Sequence, residues 1–229
     1  MIYILFFLLE IGILFFLSKK LINSLARILF KFTHNRQLVV NILAILFLPG
    51  TIIHELAHLL MAGIMLIPVG EMTVVPEVLE DGVKLGGVQI GKSDPFRRTL
   101  VAVAPVLVGI AAILGILYFA QIDNYGVWQI ALALYLIFEI GNTMFSSKKD
   151  LEGVIGFVVA ILLIIFIVSA AFYLLKPGLI QTLWSYLQTV NFDPAISFFK
   201  KSSIYLMVPL GLDLLVILFT IPFTKALRP

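Results

Sequence analysis

Apolar runs of about twenty residues follow one another along this chain, and that pattern leaves few folds open to it. A run of that length spans a hydrocarbon layer of about 30 Å as a helix, the form in which each backbone N–H and C=O finds its partner within the segment. Spans are expected from about Met1 to Leu17, Leu38 to Ile67, Thr99 to Ala120, Gly126 to Phe145, Val154 to Leu175 and Ile204 to Phe223. The predicted fold is an all-α integral membrane protein with about six transmembrane helices. The runs occupy most of the 229 residues, which predicts one membrane-embedded domain over 1–229 and no separate soluble one. The first run lacks a basic leader and a small-residue cleavage site, so it reads as a retained span.

The connectors are short and carry most of the charge. Only 13% of residues are charged, against about a quarter in soluble domains. The net charge of +3 is spread over several loops, which reads as membrane-flanking charge and not as a nucleic-acid surface. Ser18 to Gln37 places five basic residues among apolar ones, the pattern of a helix lying in the interface, and His34 falls there as a surface residue. Lys176 to Lys201 is a second such connector, with Trp184 and Tyr186 as interface anchors and Asp193-Pro194 as a helix start. Pro68 to Arg98 is different. Two β-branched stretches flank Asp81-Gly82, which predicts a β-hairpin after the second span, with Pro76 holding its strand at an edge.

One segment breaks the apolar logic. His54-Glu55-Leu56-Ala57-His58 sits inside the second span, just after Pro49-Gly50, a pair that can kink or open a helix. On a helix the two imidazoles stand one turn apart on one face, roughly 6 Å along the axis, so both can reach one cation. Glu55 is about 100° around and can touch a water held there without being a ligand. This is the His-Glu-x-x-His spacing of a zinc hydrolase, in which the metal brings the pKa of its water from about 15.7 to about 7 and the glutamate takes the proton. The plain alternative, polar side chains gluing helices together, does not account for three such groups at metal spacing.

With no cysteine in the chain, a metal can be held only by histidine and carboxylate. Hydrolytic zinc sites usually take three protein ligands and leave one position for water. Counting alternate crossings, spans two and four exit on the same membrane face, which puts Asn142 and Asp150 level with the histidine pair. Asp150, in the polar break Ser146 to Gly153, is the first candidate for the third ligand; Glu139 and Asp213 are the competitors. Glu10, in span one, is read as a packing group facing the bundle. Basic residues number eight on each face, so charge alone does not orient the chain.

These residues resemble the site-2 protease family of intramembrane zinc metalloproteases. The likeness rests on the intramembrane His54-Glu55-Leu56-Ala57-His58, the strand-rich loop straight after it and the later Asn142-x7-Asp150, with Ala104-Pro105 similar to a Gly-Pro common in the matching span. It covers a core of about 38–175, with the β-rich loop at 68–98. The resemblance implies that His54, His58 and Asp150 bind Zn2+, that Glu55 is the general base and that Asn142 contacts the substrate or the oxyanion. It also implies a multi-pass protein of the cell membrane, its metal near the cytosolic face, that cleaves single-span membrane proteins in or near the lipid bilayer. An open hairpin edge beside the metal would take up an unwound substrate by strand addition. The rival is a catalytically inactive membrane metal-binding protein or pseudoprotease.

Overall fold

The computed structural model describes residues 2–75, 77–79, 82–84, 86–119, 126–145, 148–175 and 177–225. For 77–79, 82–84, 148–155, 224–225 and some positions from 157 to 187 it describes the backbone alone. Pro76, Asp81 and the polar residues Ser146 and Ser147 therefore lie outside the described residues.

The chain is mostly helical. It runs α1 (Ile2–Thr33), α2 (Arg36–Leu46), α3 (Leu48–Ile64), four short strands, α4 (Pro95–Phe119), α5 (Val127–Thr143), α6 (Lys148–Leu175), α7 (Pro177–Thr189) and α8 (Asp193–Lys225). Among the described residues α1, α4 and α8 are long and apolar enough to cross a membrane, and α2 with α3 adds a fourth crossing if the bent pair is one span. Helix α5 and the apolar part of α6, Val159–Leu174, are shorter.

Two expected boundaries move. The first span and the interfacial helix after it form one continuous helix, α1, because no proline or glycine interrupts Leu17 to Thr33, and α8 packs extensively against it. Ser18, expected at the water interface, is buried, and its hydroxyl donates to the carbonyl of Asn142 at 3.1 Å. Helix α1 ends where His34 turns to φ 52° and Asn35 caps α2 by accepting from the N–H of Leu38. His34 is exposed, as expected. Likewise the last span starts earlier than Ile204, at Asp193, so that α8 is 33 residues long and packs along α1.

The second span does not cross as one rod. It breaks at Phe47, where α2 and α3 meet at 73°. Pro49 lacks an N–H and is tolerated in the first turn of a helix, so the sequence permits a fresh start there and not a continuation. The side chain of Phe47, fully buried against Phe138, pins the corner.

The loop after α3 forms two nested antiparallel pairs in place of one long hairpin. β1 (Val69–Thr73) pairs with β4 (Gly87–Ile90), and β2 (Glu77–Leu79) with β3 (Gly82–Lys84). A register shift between Val69 and Met72 bends the outer pair. Its inner end, at Gly86, comes down on α3.

Candidate metal centre

Helix α3 carries Gly50, His54 and His58 at successive i, i+4 steps, each rotated about 40° from the last. One helix stripe thus meets two neighbours in turn. At Gly50 it meets α5 so closely that a side-chain carbon there would lie 2.5 Å from Thr143 Oγ1 and 2.7 Å from the Glu139 carbonyl oxygen. At His58 it meets α4, where the ring Nδ1 stands 2.9 Å from the carbonyl oxygen of Val101. The α3–α4 junction is held by a small cluster of Ala62, Ile67 and Val101. It is tied at its end by Arg97, which donates to the Met65 carbonyl at 3.3 Å and pairs with Asp94.

All three motif residues are withdrawn from the surface, His54 at 3%, Glu55 at 5% and His58 at 6% exposure. The Nε2 atoms of the two histidines approach to 3.2 Å, their rings set nearly at right angles. Two nitrogens about 2.05 Å from a tetrahedral zinc are separated by about 3.3 Å, so this spacing suits one shared ion. The proton inventory agrees. A carbonyl can only accept, so the His58 Nδ1 facing Val101 carries the hydrogen, and its Nε2 presents a lone pair toward His54. Outer carbonyls fix ligand histidines in many metal sites by the same means.

The strands complete one wall. A side-chain carbon on Gly86 would stand 3.2 Å from Glu55 Oε1, 3.0 Å from Thr51 Cγ2 and 2.9 Å from the carbonyl oxygen of Thr73. The inner end of the β1–β4 pair therefore rests on the carboxylate of Glu55. Replacing Gly86 by valine is expected to lift the loop from α3. The new side chain would press on the Thr73 carbonyl and the Glu55 carboxylate, so the variant should unfold at a lower temperature than the parent; an unchanged unfolding temperature would show that the loop does not rest on α3.

Asn142 is buried on α5, where its amide donates to the Phe138 carbonyl at 2.9 Å and to Asp213 Oδ1 at 2.7 Å, binding α5 to α8. Its Oδ1 makes no hydrogen bond among the described residues. Glu139 and Asp213 are fully buried, yet neither completes a cage with the histidines: among the described residues no three His, Cys, Asp or Glu stand together as a metal site. The backbone of Asp150 lies in the first turn of α6, a helix where an irregular polar break was expected; its side chain lies outside the described residues. Glu10 is half-buried on α1, with Oε2 turned away from the surface.

Two contributors escaped the sequence reading. Val101 acts through a carbonyl that any residue would supply, so no side-chain signal marks it. Gly86 had a signal, the pair Gly86-Gly87 in a strand, where glycine allows another chain element to come close. Comparison of the chain with protein-family models, curated proteins and solved structures gives no match.

Proposed function

We propose that this chain is a membrane-embedded zinc endopeptidase of the site-2 protease kind, which cleaves single-span membrane proteins. In this reading α1, the α2–α3 pair, α4, α5, α6 and α8 supply six crossings of the cell membrane. The observation that carries the proposal is the buried histidine pair with its Nε2 atoms 3.2 Å apart and a carboxylate on the next residue.

His54 and His58 would hold the metal through Nε2, and Asp150, at the start of α6, is the proposed third ligand. A bound zinc ion supplies Lewis acidity toward a carbonyl oxygen and makes water easier to deprotonate near neutral pH. Glu55 accepts the proton of the attacking water and returns it to the departing amine nitrogen. Val101 keeps the His58 ring in the tautomer that leaves Nε2 free of hydrogen. With its Nδ2 already given to Phe138 and Asp213, Asn142 offers Oδ1 to a backbone N–H of the substrate. The strand edge at Gly86-Gly87 gives an unwound substrate segment a ladder to join beside Glu55.

Purified protein should carry one zinc per chain and cut a single-span substrate in proteoliposomes, and a chelator should abolish the cutting until zinc is restored. His54→Ala should lose both metal and activity. Protein without divalent metal, or cleavage indifferent to chelation, would refute the proposal. Stoichiometric zinc without turnover on any single-span substrate would favour the inactive metal-binding rival.

A further inference from the structure

Far from the histidines, a groove of about 470 Å³ opens between the C-terminal end of α4 and the N-terminal turns of α8. Leu114 and Gly115 floor it from α4, Tyr118 stands at its rim, and Lys201, Ser202 and Tyr205 line it from α8. Its volume falls within the roughly 300–1,000 Å³ of small-molecule sites. Gly115 lies about 21 Å along the α4 axis from Val101, so the groove is near the opposite end of the bundle from His58.

The lining has the chemistry of an amphipathic anion. Among the described residues that line it, Lys201 is the one cation and none is a carboxylate. Ser197, Ser202, Tyr205 and Tyr118 bring hydroxyls that can donate, while Leu114 and Phe198 provide apolar wall. Ser202 is 98% buried as a residue, since its exposure is 2%, yet it faces this opening. A second ammonium, Lys200, sits 5.9 Å over the ring of Tyr3 at the start of α1. The nearest acid in sequence, Asp193, heads the same helix but does not line the groove.

Depth favours lipid over a soluble ligand. Helix α8, at 33 residues, is about 50 Å long and exceeds a 30 Å hydrocarbon layer by about a dozen residues. From Ser202 to Phe223 its only charge is Asp213, so the overhang falls on Asp193 to Lys201, which puts the groove at the headgroup boundary. Tyrosines at 3, 118 and 205 beside paired lysines are what that boundary selects.

We infer that this groove binds the headgroup of an anionic phospholipid, its phosphate on Lys201 and the adjoining hydroxyls and its acyl chains along Leu114 and Phe198. The inference needs the chain to sit in a bilayer but not to be a protease, and its test reads no cleavage. Full-length protein in phosphatidylcholine nanodiscs would be titrated with phosphatidylglycerol, and retained lipid counted by native mass spectrometry. One phosphatidylglycerol per chain is expected, with Lys201→Arg binding it like the parent. Lys201→Glu should reduce retention at least about tenfold, as loss of a charge-assisted contact does. Gly115→Leu should do the same by filling the groove, since a side-chain carbon at Gly115 meets nothing within 4 Å and the variant has room to fold. Equal retention by parent and both variants, equal retention of phosphatidylcholine, or displacement of the lipid by millimolar inorganic phosphate would each overturn the assignment.

Discussion

On the proposed mechanism, Glu55→Gln should leave zinc content and unfolding temperature at parental values and lower the rate of peptide cleavage about 100- to 10,000-fold, the range that a positioned general base contributes. The substitution keeps the shape of a side chain that is 5% exposed and packed under Gly86, so the strands have no steric reason to move. What it removes is the ability to take a proton from water. Zinc should be unaffected because the proposed donors are Asp150 and the two imidazoles, whose Nε2 atoms converge to 3.2 Å. Parental cleavage by this variant would eliminate Glu55 as the base and with it the proposed mechanism. Loss of zinc together with activity would instead make Glu55 a ligand.

How much of this could be read from the chain depends on which physical rule governs each part. The apolar runs had to become helices because backbone polar groups in lipid must pair locally; Asp193–Lys225 contains the span expected there, and Pro95–Phe119 covers the span expected from about Thr99 as far as the described residues reach. Helix periodicity alone puts the two histidines on one face, whereas the 3.2 Å approach of their Nε2 atoms also reflects the Val101 carbonyl that engages the His58 ring from α4. Boundaries were less legible. Nothing in residues 18–33 says that Ser18 has a carbonyl waiting on α5, so a basic amphipathic pattern was read as a separate interfacial helix. Neighbours brought by tertiary packing were least legible. Nothing beside Asn142 in the sequence says that its amide donates to Asp213, 71 positions further along the chain.

Gly50→Ala should be the most damaging methyl that can be added to this bundle. The new carbon would stand 2.5 Å from Thr143 Oγ1, 2.7 Å from the Glu139 carbonyl oxygen and 2.9 Å from the Glu139 carbonyl carbon. The hydroxyl could rotate aside, but the carbonyl belongs to the α5 backbone and cannot. Helix α5 must therefore back away, loosening the stripe of α3 that leads from Gly50 to His54. Overpacking of this kind costs about 1–3 kcal/mol, and on the proposed function it should also weaken zinc retention, since Gly50 lies one helical turn before His54. Thr143→Ala should fail to rescue it, because the backbone contact persists. Gly63→Ala is the matched control: on the same helix, a carbon at Gly63 meets nothing within 4 Å, so exchanging glycine for alanine should be neutral or stabilise by up to about 1 kcal/mol. Unfolding of the three variants in detergent, with zinc measured on each, decides the matter. If Gly50→Ala were as stable as Gly63→Ala, α3 and α5 would not touch there, and the close approach of Gly50 to the Glu139 carbonyl would have to be abandoned.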